Sequence, residues 1–553
     1  MKEINIEKNI IKKIVIIAIL LIAVVFVLIK APNYIIRDAN ENINLIINNN
    51  NVTSRLKHKV QIINDIVYVS MDDIQNFFDK HIYEENEINE IVTTYETKVA
   101  SIGFDVNKIT INGQTKKTNA SAIKQNNEVF LPISEMTEIY DMELKKTEAG
   151  IIIDSSDREQ ITAHVNKNVK VKWKKDTFSK TLERLEKGEK VVVISKDDKG
   201  WARVRTDNGN IGYIKISKLT NETKSREEKI ETKQISGKVN MFWDYFSKYY
   251  TAPNRTGQVI EGVNVVSPTF FYIDDEGVLQ ENVGEAGIKY IEWAHSNGYK
   301  VWPMVANDEA GIKVTSNILN SYTKRQELIQ GIVEKCIEYN LDGINIDFEN
   351  IYQEDKDKYS RLIIELVPRM QDINVVTSVD VTAPDGAPNW SMCFDRNVIG
   401  DVADYLVFMA YDQHGTSSTK PGTTAGYNWV ENSLKKIIEY DEVETEKIIL
   451  AMPFYTRQWT INQNGEIKDK SVVSMMNTKI PNGVEKQWDD TLKQYYIEYK
   501  SGKNTIKMWI EDGDSIAQKV SLVTKYNLGG AACWRKDMET SNVWTVINKE
   551  LKK

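Results

Sequence analysis

Three polar side chains stand at alternate positions in one short apolar stretch, Leu341-Asp342-Gly343-Ile344-Asn345-Ile346-Asp347-Phe348-Glu349. In an extended strand, successive side chains point to opposite faces. Ile344, Ile346 and Phe348 therefore share one face, and Asn345, Asp347 and Glu349 the other. Burying unpaired polar groups is costly, so a row of one amide and two carboxylates needs a reason. Two carboxylates on one face are candidates for acid–base work.

The surrounding elements say where that face points. From residue 238 onward, short apolar runs alternate with amphipathic segments. Strands are predicted at 239–243, 263–269, 300–305, 343–348, 375–379, 405–409, 448–453 and 530–533. Helical periodicity is clearest at 288–297, 325–339 and 359–371. Strands alternating with helices imply a parallel sheet, and eight such units imply a closed (β/α)8 barrel. In this α/β architecture, active sites lie at the C-terminal ends of the strands. The face carrying Asn345, Asp347 and Glu349 then looks into the lumen, and Glu349 ends its strand.

This stretch resembles the DxxDxDxE signature of family 18 glycoside hydrolases, with Asn345 at the second acidic position. Met409-Ala410-Tyr411-Asp412 is similar to the family's strand-six pattern. Met452-Pro453-Phe454-Tyr455 is similar to its strand-seven pattern, with Arg457 and Trp459 just beyond. Trp534, after Gly529-Gly530, matches the strand-eight tryptophan. Within the family the likeness is strongest to the bacterial spore-cortex and cell-wall subgroup.

The resemblance implies a substrate-assisted retaining mechanism. Glu349 is then the proton donor, kept protonated by partial burial and by Asp347 nearby. The nucleophile is the substrate's own 2-acetamido oxygen. Asp347 holds the acetamido N–H, and Tyr411 hydrogen-bonds its carbonyl. Asn345 is expected as the deep partner of Asp347, without a charge, which alters the pH profile. Asp412 contacts the sugar or steadies Tyr411, and Trp534 forms the floor under the ring. Met409, Tyr455, Arg457 and Asp342 complete the implied substrate-binding set. Trp302, Trp243, Tyr245 and Trp390 are candidate sugar platforms, each equally readable as core. An insertion at 459–510, with a hairpin of 495–499 and 505–509 about Gly502, is expected to wall the groove.

Such a mechanism needs a 2-acetamido sugar, which points to N-acetylglucosamine-containing polysaccharide, peptidoglycan or chitin. A chitinase and a non-catalytic, lectin-like barrel are the rival readings. No metal or cofactor is expected. The five histidines are scattered, and Cys336, Cys393 and Cys533 have no ligand or disulfide spacing and read as small core residues. The net charge of −8 includes no basic tract, which argues against nucleic acid as a partner.

Residues 14–29 form an unbroken apolar run, preceded by Lys8, Lys12 and Lys13 and followed by Lys30. As a helix it is about 24 Å long, and flanking lysines can extend its reach. No A-x-A-like cleavage pattern follows. An uncleaved anchor is expected, with a cytoplasmic N-terminus and the rest outside; cleavage would make the protein secreted. The expected segments are a tip and anchor at 1–37 and an asparagine-rich spacer at 38–54. An α+β module follows at 55–156, a small β-barrel at 157–221, a charged linker at 222–235 and the barrel at 236–553.

The α+β module carries an internal repeat. Residues 67–78 match 129–140, each following an asparagine turn and each read as a strand running into a helix, with Ser70 and Ser134 ahead of acidic first turns. It resembles a copper amine oxidase N-terminal-like domain, without copper ligands. The second module, with Trp201-Ala202-Arg203-Val204-Arg205, a turn at Asn208-Gly209 and Ile211-Gly212-Tyr213-Ile214, resembles a bacterial Src-homology-3-like domain. The anchor and these modules, which resemble wall-binding ones, favour peptidoglycan as the substrate.

Overall fold

The computed structural model describes residues 43–553, apart from 157, 226–234 and 248. The expected membrane anchor and tip lie outside the described residues, as does most of the expected linker. Among the described residues no helix is long and apolar enough to cross a membrane. The chain forms two units, Met1–Tyr83 with Ala100–Ile230, and Glu84–Val99 with Glu231–Lys553.

The second unit contains the barrel. Its strands are β1 (Val239–Asp244), β2 (Val265–Pro268), β3 (Lys300–Val301 continuing as Met304–Ala306), β4 (Gly343–Asp347), β5 (Val376–Val381), β6 (Tyr405–Met409), β7 (Ile448–Pro453) and β8 (Gly530–Trp534). Every neighbouring pair is parallel, and β8 returns to β1 through Met241 opposite Ala532. The ring closes through β3, which is interrupted at Trp302-Pro303. Proline has no N–H to give to a ladder. Trp302 N–H still donates to Val266, and the Pro303 carbonyl accepts from Asn345 N–H at 2.9 Å, so pairing passes across the break. The predicted helices are present as Gly284–Ser296, Tyr322–Glu338 and Lys356–Asp372.

Two apolar clusters record the alternation. Ile344, Ile346 and Phe348 join the helices in the outer layer. Val239, Met241, Trp243, Trp302, Met304, Val407 and Ala532 fill the lumen. Trp302 is core rather than a sugar platform: it is wholly buried beside Tyr405. Gly343 makes room for it, since a β-carbon there would lie 2.3 Å from Trp302 Cδ1. Gly530 does the same for backbone, since its β-carbon would lie 2.2 Å from the Val239 carbonyl oxygen where β8 meets β1. All three cysteines are buried and unbridged.

After β7 the chain builds a five-stranded antiparallel sheet from Tyr455–Ile461 to Asn504–Ile510. It starts at Tyr455 rather than 459, and the predicted hairpin turns about Gly502. A buried Glu511–Lys519 ion pair of 2.8 Å anchors its end to helix Gly513–Lys525. Gln494 donates to the same carboxylate at 2.6 Å, and Glu511 N–H donates to Thr456 Oγ1 at 2.8 Å. The Glu84–Val99 segment belongs to this unit rather than to the α+β module alone. Glu87 accepts from Tyr322 N–H at 2.6 Å and Thr323 N–H at 3.1 Å at a helix start, where negative charge is favourable.

In the first unit, the expected spacer is partly a sheet. Leu45–Ile47 is buried and pairs in parallel with Gly150–Ser155. Asn48 and Asn49 take positive φ and turn the chain into Asn50–Asn51, a conformation asparagine tolerates. The repeat pairs with itself, Leu131 opposite Val69. Its first copy enters a helix, Met71–Phe77, capped by Ser70. The second makes only a 3-10 turn, Ile133–Glu135, because Pro132 stands where Ser70 does and has no side-chain acceptor. Ser134 instead accepts from Val67 N–H. The second module is a seven-stranded antiparallel sheet about one core. Its last strand, Leu219–Lys224, pairs with Ile161–Val165 and runs past the expected boundary at 221.

Removing one partner of a buried ion pair leaves the other charge stranded. Lys519→Ala should therefore lower the stability of the second unit by about 3–5 kcal/mol, read by denaturant unfolding. Burial already raises the Glu511 pKa against the pull of Lys519. With Lys519 gone, ionised Glu511 is penalised in the fold alone, so the loss should shrink as pH falls toward the ordinary glutamate range of ~4.3.

Candidate active site

Strand β4 delivers Asn345 and Asp347 to the lumen, and Glu349 follows at its C-terminal end. Asn307, just past β3, fixes the main chain of Glu349 from both sides. Its Oδ1 accepts from Glu349 N–H at 2.8 Å, and its Nδ2 donates to the Glu349 carbonyl at 2.9 Å. The second donor function of Nδ2 reaches Thr315 Oγ1 at 3.0 Å. Asn350 then takes φ +49°, turning the chain away from the site.

The cleft has a volume of about 340 Å³, within the range of small-molecule sites. Asp347, Glu349, Met409, Tyr411, Asp412, Tyr455 and Trp534 all line it, as the sequence predicts. Trp243 and Tyr245 line it as well. Trp534 lies against both, with ring centroids 5.8 and 6.0 Å away. Arg255 ties the loops carrying these rings together. It pairs with Asp244 at the end of β1 at 2.8 Å and with Asp537 beyond β8 at 2.7 Å. Burial alone would raise the Asp537 pKa, but Arg255 and Lys536 hold it down at about 2. The Trp534–Arg535 peptide bond is cis.

Asn345 does not partner Asp347. Its amide donates to Asp380 Oδ1 at 2.7 Å and to Ser378 Oγ at 3.1 Å, and its Oδ1 accepts from Trp243 Nε1 at 2.8 Å. Asp380 on β5 is the carboxylate that sequence reasoning missed. Its signal was present: in Val376–Val381, Ser378 and Asp380 alternate with outer-layer Val379 and Val381. Ending the predicted strand at 379 removed Asp380 from view. Asp347 Oδ1 and Asp380 Oδ2 are both buried without a partner among the described residues.

Other expected contacts resolve differently. Asp342 lies seven residues before Glu349, roughly 23 Å along an extended chain, and so at the opposite end of the barrel. There it accepts from His295 at 2.8 Å, Lys300 at 2.9 Å and Val301 N–H at 3.1 Å. It secures the fold and does not reach the cleft. Arg457 is also absent from the lining. Asp412 accepts from it at 3.1 Å and from Tyr455 Oη at 2.9 Å, so Asp412 is held by these two rather than by Tyr411. Trp390 is half-exposed and outside the cleft.

Among the described residues, six carboxylates line the cleft, adding Asp308, Glu309 and Asp380 to those named, and no lysine or arginine does. Burial first, and neighbouring charge second, shift Asp347, Glu349 and Asp380. Burial, then the charges of Asp412 and Asp308, push the Glu349 pKa up to about 7. Burial, then Glu349, Asp380 and Asp308, push Asp347 well up. Burial raises Asp380 too, opposed by its hydrogen bond from Asn345. Burial and the nearby Asp347 and Asp380 charges keep the Tyr411 hydroxyl protonated, as a donor. A carboxylic acid held protonated near neutrality in the mouth of a parallel barrel is placed for acid–base chemistry.

Residues 238–539 match the family model for glycosyl hydrolases family 18, and the chain belongs to that family. It is 25% identical to the uncharacterized glycosylase YvbX of Bacillus subtilis, over 52% of this chain and 85% of that protein. It is 24% identical to the cortical fragment-lytic enzyme of the same organism, over 42% of this chain and 55% of that one. A chitinase structure from Chromobacterium violaceum superimposes with a TM-score of 0.50 at 21% identity, covering 57% of this chain and all of that one, and shares the fold. The chain is thus a glycoside hydrolase, and the enzyme reading stands over the lectin-like one.

If Glu349 acts in its protonated form, kcat/KM should fall as pH rises through about 7. Asp308 helps hold that proton, so Asp308→Asn should move this descending limb to lower pH. The shift should be less than one unit, because Asp308 is exposed and exposed charges are screened. A pH–rate profile on a chromogenic N-acetylglucosamine oligomer measures both.

Proposed function

We propose that this chain hydrolyses β-1,4 bonds following N-acetylglucosamine by a substrate-assisted retaining mechanism. The observation that carries the reading is Glu349, held protonated near neutrality on the same strand face as Asp347. In two-carboxylate retaining enzymes the acid and the nucleophile flank the bond about 5–5.5 Å apart. Here Asp347 is two residues behind the acid on one strand, roughly 7 Å along it, and thus on the acid's own side.

Glu349 gives its proton to the glycosidic oxygen as the C1–O bond breaks. The acetamido oxygen attacks C1 and forms an oxazolinium ring. Asp347 accepts the acetamido N–H and offsets the developing positive charge. Tyr411 Oη donates to the acetamido oxygen and orients it. Trp534 packs beneath the sugar ring. Glu349, now ionised, takes a proton from the water that opens the ring, and configuration at C1 is retained. Asn345 holds Asp380 and Trp243 beneath this apparatus and adds no charge.

Peptidoglycan or its fragments are the substrate we favour. The apolar run at 14–29 would anchor the enzyme with its barrel outside. The modules resembling amine oxidase N-terminal and Src-homology-3-like domains would face the wall. The cortical fragment-lytic relative points the same way. A second reading, chito-oligosaccharide hydrolysis, is favoured by the cleft itself. Its six carboxylates repel a free muramic carboxylate and accept an uncharged sugar. In wall glycan that carboxyl is neutral where a peptide is amide-linked to it.

Glu349→Gln should abolish detectable turnover while the protein still binds glycan. Turnover near the wild-type rate would refute the assignment. Peptidoglycan digested with the enzyme and reduced with borohydride should yield reduced N-acetylglucosamine ends. Cleavage of chitin oligosaccharides alone would select the second reading, and reduced muramic ends would contradict both.

A further inference from the structure

The seven-stranded module of the first unit holds a groove of about 610 Å³ whose charge is opposite to that of the whole chain. Lys167, Lys170, Lys172, Arg184, Lys215 and Lys218 line it, against one lining acid, Glu186. None of the six cations forms an ion pair among the described residues. Lys172 donates only to neutral oxygens, the Ser179 carbonyl at 2.9 Å and Thr181 Oγ1 at 3.1 Å. Lys215 sits over the Trp201 ring, 4.0 Å from its centroid. Other lysines of the module are matched: Lys175 with Asp197 at 2.7 Å, Lys196 with Glu222 at 2.5 Å and Lys224 with Glu159 at 2.9 Å. Acids are thus at hand on this module, but only Glu186 lines the groove.

Gathering the cations costs energy that the module offsets only in part, through the charge of Asp176 near Lys172 and the Trp201 ring under Lys215. Contact with Lys167 lowers the pKa of Lys218, with partial burial adding to it. Lys172 is lowered by partial burial, then by Lys170 and Arg184. A polyanion laid in the groove would relieve this repulsion and release its own counterions.

The lining also narrows the ligand. Five of the six cations are lysines, compact point charges that attract anionic groups without the planar fork that fixes the orientation of a carboxylate or phosphate. The aromatic ring of the lining, Trp201, is 8% exposed and already carries Lys215, so it offers no open face to a base or a sugar ring. Trp173 and Phe178 are exposed nearby but do not line the groove. The site therefore reads repeating charge and not ring shape. We propose that this groove binds a linear phosphodiester polymer whose repeat is a polyol, holding the enzyme on an anionic polymer distinct from the glycan it cleaves.

The test is equilibrium binding of the full chain to immobilised poly(glycerol phosphate), with poly(dT) and polygalacturonate of equal charge as comparators. Poly(glycerol phosphate) should bind most tightly and lose on the order of tenfold affinity between 50 and 200 mM salt. The variant K167Q/K170Q/R184Q changes three exposed side chains. It should bind at least tenfold more weakly while hydrolysing chito-oligosaccharide at the parent rate, which shows that the chain is folded. Equal or tighter binding of poly(dT) would overturn the proposal in favour of nucleic acid. Equal or tighter binding of polygalacturonate would overturn it in favour of a carboxylate polymer. Variant binding within twofold of the parent, or no binding of poly(glycerol phosphate), would overturn it outright.

Discussion

Asp347, Glu349 and Asp380 share one cleft, and each ionised carboxylate there raises the cost of ionising its neighbours. Like charges in a medium of reduced dielectric repel far more strongly than in water. Burial first, and then the charges of Asp412 and Asp308, keep Glu349 protonated near neutrality. The rest of the lining is consistent with this. A lysine or arginine in the lining would stabilise Glu349 in its ionised form, and among the described residues none lines the cleft. Two described arginines stand outside the lining, Arg457 on Asp412 and Arg255 between Asp244 and Asp537.

Asn345 fits the same logic. A third carboxylate in the β4 row would face Asp380 directly, because the Asn345 amide lies 2.7 Å from Asp380 Oδ1. The neutral amide turns that contact into a hydrogen bond that favours the ionised form of Asp380, while Trp243 satisfies its other end. The departure from the family's signature thus removes one buried charge and keeps the position structurally occupied. The clamp from Asn307 is the mechanical counterpart. It fixes the main chain of Glu349 through two hydrogen bonds and leaves the carboxyl group free to face the substrate.

The barrel and the β4 face were legible because side-chain alternation in a strand is rigid. Once eight apolar runs are spaced by helical segments, the inward face of each follows. What escaped was whatever depends on strand ends and on partners distant in sequence. Asp380 fell one residue beyond the predicted end of β5. Asn307 lies in a loop whose contact to Glu349 no local pattern announces. Asp342 was grouped with the site because a motif is read as a unit, whereas an eight-residue extended stretch spans the height of the barrel and places its ends far apart. The asparagines near residue 48 were read as composition, a polar spacer. Their conformational role, supplying positive φ beside the buried Leu45–Ile47 strand, is what the fold uses.

The formal charge of −8 conceals a segregation that composition cannot reveal. One unit concentrates acids in a cleft where Glu349 holds a proton near neutrality, and the other concentrates cations in a groove that includes a single acid. Each arrangement disfavours the ligand proposed for the other. The acidic lining of the cleft opposes an anionic polymer but not the neutral acetamido sugar proposed as its substrate. The groove has no open ring face for that sugar and attracts charge alone. On the proposed readings, holding the surroundings and cutting the substrate fall to separate chemistries on one chain: a linear polyanion matches the unpaired cations of the groove, and the acidic lining of the cleft opposes the same polymer at Glu349.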